Sequence, residues 1–146
     1  MIIKTHIKDF KFTPVMTLSC DGNTFIKKHE HKNREPIVYE CCAFQDVPKQ
    51  YRGRTGVYII VDEHSKQILY VGKTDVGLYQ RWKQYNNPGP TQYTNMDINS
   101  RIYKKHIEGI ELGLYFHEHE NNHEITSRNI EILITGYAWQ PGMWNL

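Results

Sequence analysis

Cysteine is scarce in this chain, and its arrangement argues against a disulfide framework. The three cysteines are Cys20, Cys41 and Cys42. An odd number of cysteines, two of them adjacent, does not give the paired spacings of small disulfide-rich domains. The Cys-x-x-Cys spacing of zinc and redox motifs is missing as well. We therefore expect buried, reduced thiols in an intracellular protein.

Long hydrophobic runs and strong net charge are also missing. No segment approaches the roughly 18 consecutive apolar residues of a membrane span. The first residues, 1–4, do not begin the apolar stretch of a signal peptide. We therefore expect a cytoplasmic protein without a membrane partner. The formal net charge is only +2, so a nucleic-acid surface would have to be a local basic patch.

The length of 146 residues is enough for one domain with its own hydrophobic core. We expect residues 1–50 to form a β-rich N-terminal extension that packs on a core formed by residues 51–146. Within the extension, the apolar run 37–44 predicts a buried strand, and the charged stretch 27–34 should be solvated.

The core alternates between strand and helix patterns. Two apolar runs, 56–61 and 67–71, flank a polar turn and predict a β-hairpin. Asp75 or Gly77 then precedes an amphipathic helical stretch with Leu78, Trp82 and Tyr85 on one face. Apolar residues at helical spacing occur again over 98–107, where the last of them is Ile107.

The remaining part of the core predicts one more strand and one more helix. Residues 111–117 alternate between apolar and polar as a strand does. A third helix should run from a cap at Asn121 or Asn122 to about Tyr137, with Ile132 and Gly136 on its buried side. This order of elements predicts an α+β fold, in which helices flank a small three-stranded antiparallel sheet.

Side chains that carry chemistry concentrate around the predicted hairpin. Tyr58 and Tyr70 lie on its two strands, and Lys73 follows the second strand. Because side chains alternate along a strand, the two tyrosines can share one face of the sheet. Arg81 and Tyr85 are four residues apart and share one face of a helix. Two phenols, a lysine and an arginine are a set of groups suited to an anionic phosphate.

These motifs resemble those of the GIY-YIG nuclease family, which includes restriction-type and phage-type endonucleases. The strings 56–58 (Gly-Val-Tyr) and 70–72 (Tyr-Val-Gly) match the two name-giving motifs with one aliphatic exchange in each. Arg81 with Tyr85 resembles the family's helix-borne arginine followed by a histidine or tyrosine. Glu131, with Asn145 in a closing loop, resembles its late glutamate and asparagine.

The resemblance implies an endonuclease that hydrolyses phosphodiester bonds in double-stranded DNA with Mg²⁺, for which Mn²⁺ could substitute. Glu131 would bind the metal ion, and Arg81 would bind a phosphate oxygen. Tyr58 would take the proton from the attacking water, with its pKa lowered by a cation such as Lys73. The full set of site residues that the resemblance implies is Tyr58, Tyr70, Lys73, Arg81, Tyr85, Glu131 and Asn145.

Within the family, the compact chain resembles type II restriction enzymes, with a short phage-type degradative or homing-like endonuclease as the alternative. Segments 49–54, 92–95 and 101–105 are the candidates for DNA contacts. Because one site cuts one strand, a double-strand cut suggests a homodimer or a higher homo-oligomer.

Other interpretations remain open. The tyrosines could be ordinary strand aromatics and Glu131 a surface carboxylate. The chain could be a non-catalytic nucleic-acid-binding module, or its substrate could be RNA. His117, His119 and His123 could bind a transition metal, although a polar loop at this place is more often simply solvated.

Overall fold

The computed structural model of the chain describes residues 1–120 and 125–145, apart from the side chain of His31. Its elements are, in chain order, the strands β1 (Ile2–Lys4), β2 (Asp9–Lys11), β3 (Thr13–Leu18), β4 (Cys20–His31), β5 (Arg34–Phe44), β6 (Gly56–Asp62) and β7 (Ile68–Thr74), the helices α1 (Leu78–Asn86) and α2 (Tyr93–Ile107), the strand β8 (Leu112–Glu118) and the helix α3 (Ser127–Ala138). One turn of 3₁₀ helix, Lys49–Tyr51, precedes β6.

The centre of the fold is a four-stranded antiparallel sheet in the order β3–β8–β6–β7. β6 and β7 form the hairpin predicted from the sequence, and β8 pairs with the other side of β6. The α+β class is confirmed, but the prediction of three strands is wrong. β3, from the N-terminal extension, pairs with β8 and satisfies backbone groups that β8 would otherwise expose at a sheet edge.

The central strand β6 is covered on both faces, which explains its unbroken apolar sequence. Tyr58 and Ile60 face the core formed with α1 and α2. Val57, Ile59 and Val61 face the opposite core, which α3 and the β1–β2 pair complete. Because successive side chains of a strand point to opposite faces, β6 contributes to two hydrophobic layers at once.

The helices keep their predicted order, with shifted boundaries and faces. α2 begins at Tyr93 rather than at residue 98, and Ile107 is exposed. Five residues separate Ile107 from the buried Ile102, which places it about 140° away around the helix. No helix in the described ranges is long and apolar enough to span a membrane.

α3 differs in its cap and in its buried face. The predicted caps, Asn121 and Asn122, lie outside the described residues, and the Thr126 hydroxyl accepts a hydrogen bond of 3.2 Å from the Asn129 backbone N–H. Ile130 and Ile134 are buried, whereas Ile132 and Gly136 are exposed. The prediction that Ile132 and Gly136 are buried is wrong, because positions two residues from the buried row point away from the sheet.

β4 and β5 form a long two-stranded ribbon, and we refer to these residues, Cys20–His31 and Arg34–Phe44, as the ribbon. Its base is buried, with Cys41, Cys42 and Phe44 in the core, whereas Ile37 and Val38 are exposed on its outer half. Only the second half of the predicted buried strand 37–44 is therefore buried.

Two of the cysteines lie at the base of the ribbon. Cys20 and Cys42 form a disulfide that closes a separation of 22 residues, and Cys41 is a free, buried thiol. The prediction of three reduced thiols is therefore wrong for Cys20 and Cys42. Antiparallel pairing of the two strands brings these residues together, although neither neighbours the other in the sequence.

The side chain of Asn99 ties the ribbon to the helices. This amide is fully buried, and its Oδ1 accepts a hydrogen bond of 2.9 Å from the Cys42 N–H. Its Nδ2 donates to the Cys42 carbonyl at 3.0 Å and to the Tyr85 carbonyl at 2.9 Å. One side chain from α2 therefore satisfies backbone groups of β5 and α1 in a site that excludes water.

We predict that Asn99→Ala destabilises the protein by about 1–3 kcal/mol, because it leaves buried backbone groups without partners. The measurement is the free energy of unfolding in urea. Asn129→Ala is the matched control, because its side chain is exposed on α3, and it should change the stability by less than about 0.5 kcal/mol. Equal stability of the two variants would contradict the role given to Asn99.

Candidate active site

Tyr58 and Tyr70 lie on the same face of the sheet, as the alternation of side chains predicts. In the hairpin register Tyr58 pairs with Gly72, and Ile60 pairs with Tyr70. The ring centroids of the two tyrosines are 6.3 Å apart. Tyr58 is 1% exposed, whereas Tyr70 is partly exposed. Tyr70 is therefore the strand phenol that solvent reaches.

Helix α1 adds Arg81 and Tyr85 to the two strand tyrosines. Tyr85 is completely buried, and its hydroxyl lies 2.6 Å from the Tyr58 hydroxyl and 3.4 Å from the Tyr70 hydroxyl. Arg81 donates from Nη2 to the Tyr85 hydroxyl at 2.9 Å. The Tyr85 hydroxyl therefore connects Tyr58, Tyr70 and Arg81 in one hydrogen-bond network. We call these four side chains the tyrosine–arginine cluster.

Neighbouring polar side chains hold the guanidinium of Arg81. Its Nη1 donates to Gln84 Oε1 at 2.7 Å and to Asn95 Oδ1 at 3.1 Å. Asn95 is buried, and its own Nδ2 donates to Gln92 Oε1 at 3.2 Å. Within segment 92–95, which the sequence predicted as a DNA contact, Asn95 is buried and holds Arg81, whereas the other three residues are exposed. The sequence pattern predicted the start of α2 at residue 98. A predicted start a few residues earlier would have assigned Asn95 to the buried face of α2.

The glycine of the second motif leaves the space that Tyr58 occupies. A Cβ at Gly72 would lie 2.5 Å from both Cζ and the hydroxyl oxygen of Tyr58. The glycine of the first motif, Gly56, has a φ of +156° and approaches the His117 carbonyl of β8 too closely for a Cβ. Both glycines are therefore needed for close approach, Gly56 to the partner strand and Gly72 to the Tyr58 phenol.

Burial sets the protonation state of the two inner phenols. It raises the pKa of Tyr58 and that of Tyr85 well above the ordinary value, and the opposing effect of Arg81 does not cancel it. Lys73 pairs with Val57 in the hairpin and so lies on the opposite face of the sheet. The expectation that Lys73 lowers the pKa of Tyr58 is therefore wrong, and both phenols are neutral at neutral pH.

Glu131 and Lys73 belong to a second group of charges on the α3 side of the sheet. Lys73 forms an ion pair with Asp75, and Glu131 is half-buried on α3. Burial raises the pKa of Glu131, the positive charges of Lys73 and Arg128 lower it, and the charge of Asp75 raises it. The predicted site residues thus divide between two faces, and the strand β7 carries one member of each group.

Asn145 closes the free edge of β7. Its Oδ1 accepts a hydrogen bond of 2.9 Å from the Val71 N–H, and its Nδ2 donates to the Val71 carbonyl at 2.8 Å. The Trp144 N–H donates to the Leu69 carbonyl at 2.7 Å. Both ends of the Asn145 amide are engaged with backbone, so the closing loop acts as a short addition to the edge of the sheet.

The histidine-rich stretch does not form a recognisable metal centre in the described part of the chain. No group of three or more His, Cys, Asp or Glu side chains is placed to hold a metal ion there. His117 Nδ1 lies 2.9 Å from the Lys11 carbonyl. His123 lies outside the described residues.

Comparison with known proteins identifies a domain in this region. Residues 54–134, more than half of the chain, match the family model described as the GIY-YIG catalytic domain. The match includes both halves of the site from Tyr58 to Glu131, and it leaves out β1–β5 and Asn145. No curated protein and no solved structure gives a significant match.

We predict that Gly72→Ala destabilises the protein by about 1–3 kcal/mol, because the new methyl group overlaps the Tyr58 phenol. Urea denaturation measures the change. Gly136→Ala is the matched control, since its added methyl group meets open space on a helix, and we expect a gain of up to about 1 kcal/mol. A fully stable Gly72→Ala variant would show that Tyr58 does not sit against β7.

We predict that stability falls at alkaline pH because the unfolded chain ionises Tyr58 and Tyr85 near pH 10, while the folded chain keeps both phenols neutral. Below about pH 10 both states hold these protons. Above it, unfolding releases them, and each phenol lowers the free energy of unfolding by roughly 1.4 kcal/mol per pH unit. Unfolding free energies from pH 8 to 11 test this dependence. Tyr58→Phe should reduce the decrease of the unfolding free energy with pH, and the control Tyr93→Phe, a change of an exposed tyrosine, should not. An equal decrease in the two variants would contradict the assignment.

Proposed function

Because the chain belongs to the GIY-YIG family, whose catalytic domain indicates a nuclease, we propose that it is a Mg²⁺-dependent DNA endonuclease of the type II restriction kind. The single observation that carries the proposal is the intact tyrosine–arginine cluster. Tyr58, Tyr70, Arg81 and Tyr85 share one hydrogen-bond network, and the guanidinium is held by further polar partners. A domain retained only for binding would not need this preorganised arrangement.

We assign phosphate binding to Arg81 and Tyr70, the two partly exposed members of the cluster. A guanidinium presents several donors in a planar fork that matches the oxygens of a phosphate. Asn95 and Tyr85 already hold Arg81, so little side-chain freedom is lost when the substrate binds. Arg81 would offset the negative charge that grows on the phosphate in the transition state.

The role of Tyr58 as proton acceptor stays a prediction, and its burial defines how it would work. Its phenol is neutral, so it can accept a proton from the attacking water only while it passes its own proton on. The Tyr58 hydroxyl contacts that of Tyr85, which donates to Tyr70, so a proton that Tyr58 gives to Tyr85 can pass to Tyr70 and from there to solvent. Access of the water to Tyr58 requires the buried phenol to become exposed.

The acidic side chains on the α3 side fit a Mg²⁺ ion. Mg²⁺ prefers oxygen ligands, keeps several waters and is commonly held by one or two carboxylates. Glu131 is half-buried and its pKa is raised, as expected of a carboxylate that lacks a full counter-charge. Asp75 is close enough to contribute to this rise in the Glu131 pKa. When bound to Glu131, the ion would stabilise the negative charge of the phosphate and the leaving oxygen; Mn²⁺ could substitute.

Double-stranded DNA is the proposed substrate, and the proposed oligomer is a homodimer or a higher homo-oligomer, since one site cuts one strand. Of the basic segments, Arg54 pairs with Glu118 at 2.7 Å, and Arg52 lies 5.0 Å from the ring centroid of Tyr79. Arg101 pairs with Asp97 at 2.9 Å. Phosphate contacts from cations such as these would position the duplex, whereas contacts to base edges would select the sequence.

We predict that plasmid DNA incubated with Mg²⁺ gives discrete fragments and that Glu131→Gln lowers the rate at least about 100-fold, because the neutral amide is a poor ligand for the metal. Gel electrophoresis of the digests measures both. Glu111→Gln, a change of an exposed glutamate, is the matched control and should cut like the wild type. EDTA should abolish cutting, and an RNA transcript should remain intact under the same conditions.

Other outcomes of this experiment have defined meanings. A smear that Glu131→Gln abolishes would keep the nuclease and favour a phage-type degradative enzyme. Cutting that survives both EDTA and Glu131→Gln would refute the metal site. Absence of cutting, with a gel shift that shows bound DNA, would favour a non-catalytic binding module.

A further inference from the structure

A cleft of about 620 Å³ lies next to the tyrosine–arginine cluster. Its walls come from four parts of the chain that are distant in sequence: the ribbon, β7, the first turns of α2, and the closing loop. Tyr70 and Asn145 are among its lining residues, so the cleft borders the proposed phosphate site. A volume of this size suits a small organic ligand of the size of a nucleotide.

The cleft combines aromatic rings with guanidinium groups. Tyr39 and Tyr93 line it, and Tyr93 is 53% exposed. Arg34 from the ribbon and Arg101 from α2 line it as well. The carboxylate of Asp97 is paired with Arg101 at 2.9 Å, so these three charged groups sum to a net positive charge.

This combination matches the chemistry of an unstacked nucleotide. Aromatic side chains bind the faces of bases in proteins that hold single strands, while cations bind the backbone. A base inside a duplex offers only its edges in the grooves, because its faces are stacked on its neighbours. A cleft with rings in its walls therefore suits a nucleotide that has left the stack.

We propose that this cleft binds one unstacked nucleotide of the DNA strand adjacent to the scissile phosphate, with the base against Tyr93 and the backbone at Arg34 and Arg101. The assignment of the neighbouring phosphate rests on the proposed function. The ribbon lies outside the matched catalytic domain and forms the wall of the cleft that faces α2. In this proposal the function of the ribbon is to contribute to nucleotide binding.

The test uses the full chain in buffer without divalent cations, so that no probe is cut. Two labelled duplexes carry a three-nucleotide tail that contains either adenines or abasic sugars, so the phosphates are equal and only the bases differ. Fluorescence anisotropy gives the two dissociation constants. We expect the adenine tail to bind about 5- to 100-fold more tightly than the abasic tail, as base–aromatic stacking contributes elsewhere.

Matched variants locate the effect. Tyr93→Leu should abolish the preference for bases, and Tyr93→Phe should retain it because the ring is kept. Tyr137→Leu, a change of an exposed tyrosine on α3, is the control and should bind like the wild type. Arg34→Ala should weaken both tails, and the exposed control Lys8→Ala should not.

A second readout does not depend on a folded variant. In the wild type, a single 2-aminopurine between abasic sugars in the tail should lose fluorescence on binding, because it is unstacked in the free probe and stacking on a ring quenches it. Equal affinity for the two tails, unquenched 2-aminopurine, or a preference for bases that Tyr93→Leu retains would overturn the proposal.

Failure of the cleft and failure of the proposed function give different results. A preference for bases without plasmid cutting in Mg²⁺ would support the cleft and refute the nuclease. Cutting without any preference for bases would support the nuclease and refute the cleft.

Discussion

The hydroxyl of Tyr85 is the group on which the arrangement of the site depends. It is buried in the core between the hairpin and α1, where an unpaired polar group would be costly. The Tyr85 hydroxyl is satisfied by simultaneous hydrogen bonds with Tyr58, Tyr70 and Arg81. The same contacts that stabilise the core therefore orient the side chains that would meet a phosphate, and a change in the packing of α1 would disturb stability and chemistry together.

The N-terminal extension supports this core in two ways. β3 completes the central sheet by pairing with β8, so residues 13–18 of the extension belong to the same sheet as the two tyrosine motifs. The ribbon is tied to α2 and α1 through the buried amide of Asn99, whose partners include the carbonyl of Tyr85. A segment outside the matched domain thus reaches the backbone of a site residue through one side chain.

Local patterns predicted the elements well, and long-range contacts account for the errors. The hairpin, α1 and β8 follow from periodicities of two and 3.6 residues, and the shared face of Tyr58 and Tyr70 follows from the same alternation. The fourth strand could not be foreseen, because pairing of β3 with β8 joins segments about a hundred residues apart. The exposure of Ile132 likewise depends on which side of α3 meets the sheet.

The sequence by itself determined the family and the candidate site residues, because motif residues and their spacing are local properties of the chain. Only the tertiary structure decided their environment. Burial keeps Tyr58 neutral, the hairpin register puts Lys73 on the opposite face, and both ends of the Asn145 amide bind β7. The physical reason is that solvation and hydrogen-bond partners depend on the three-dimensional surroundings of a side chain, which residues distant in sequence supply.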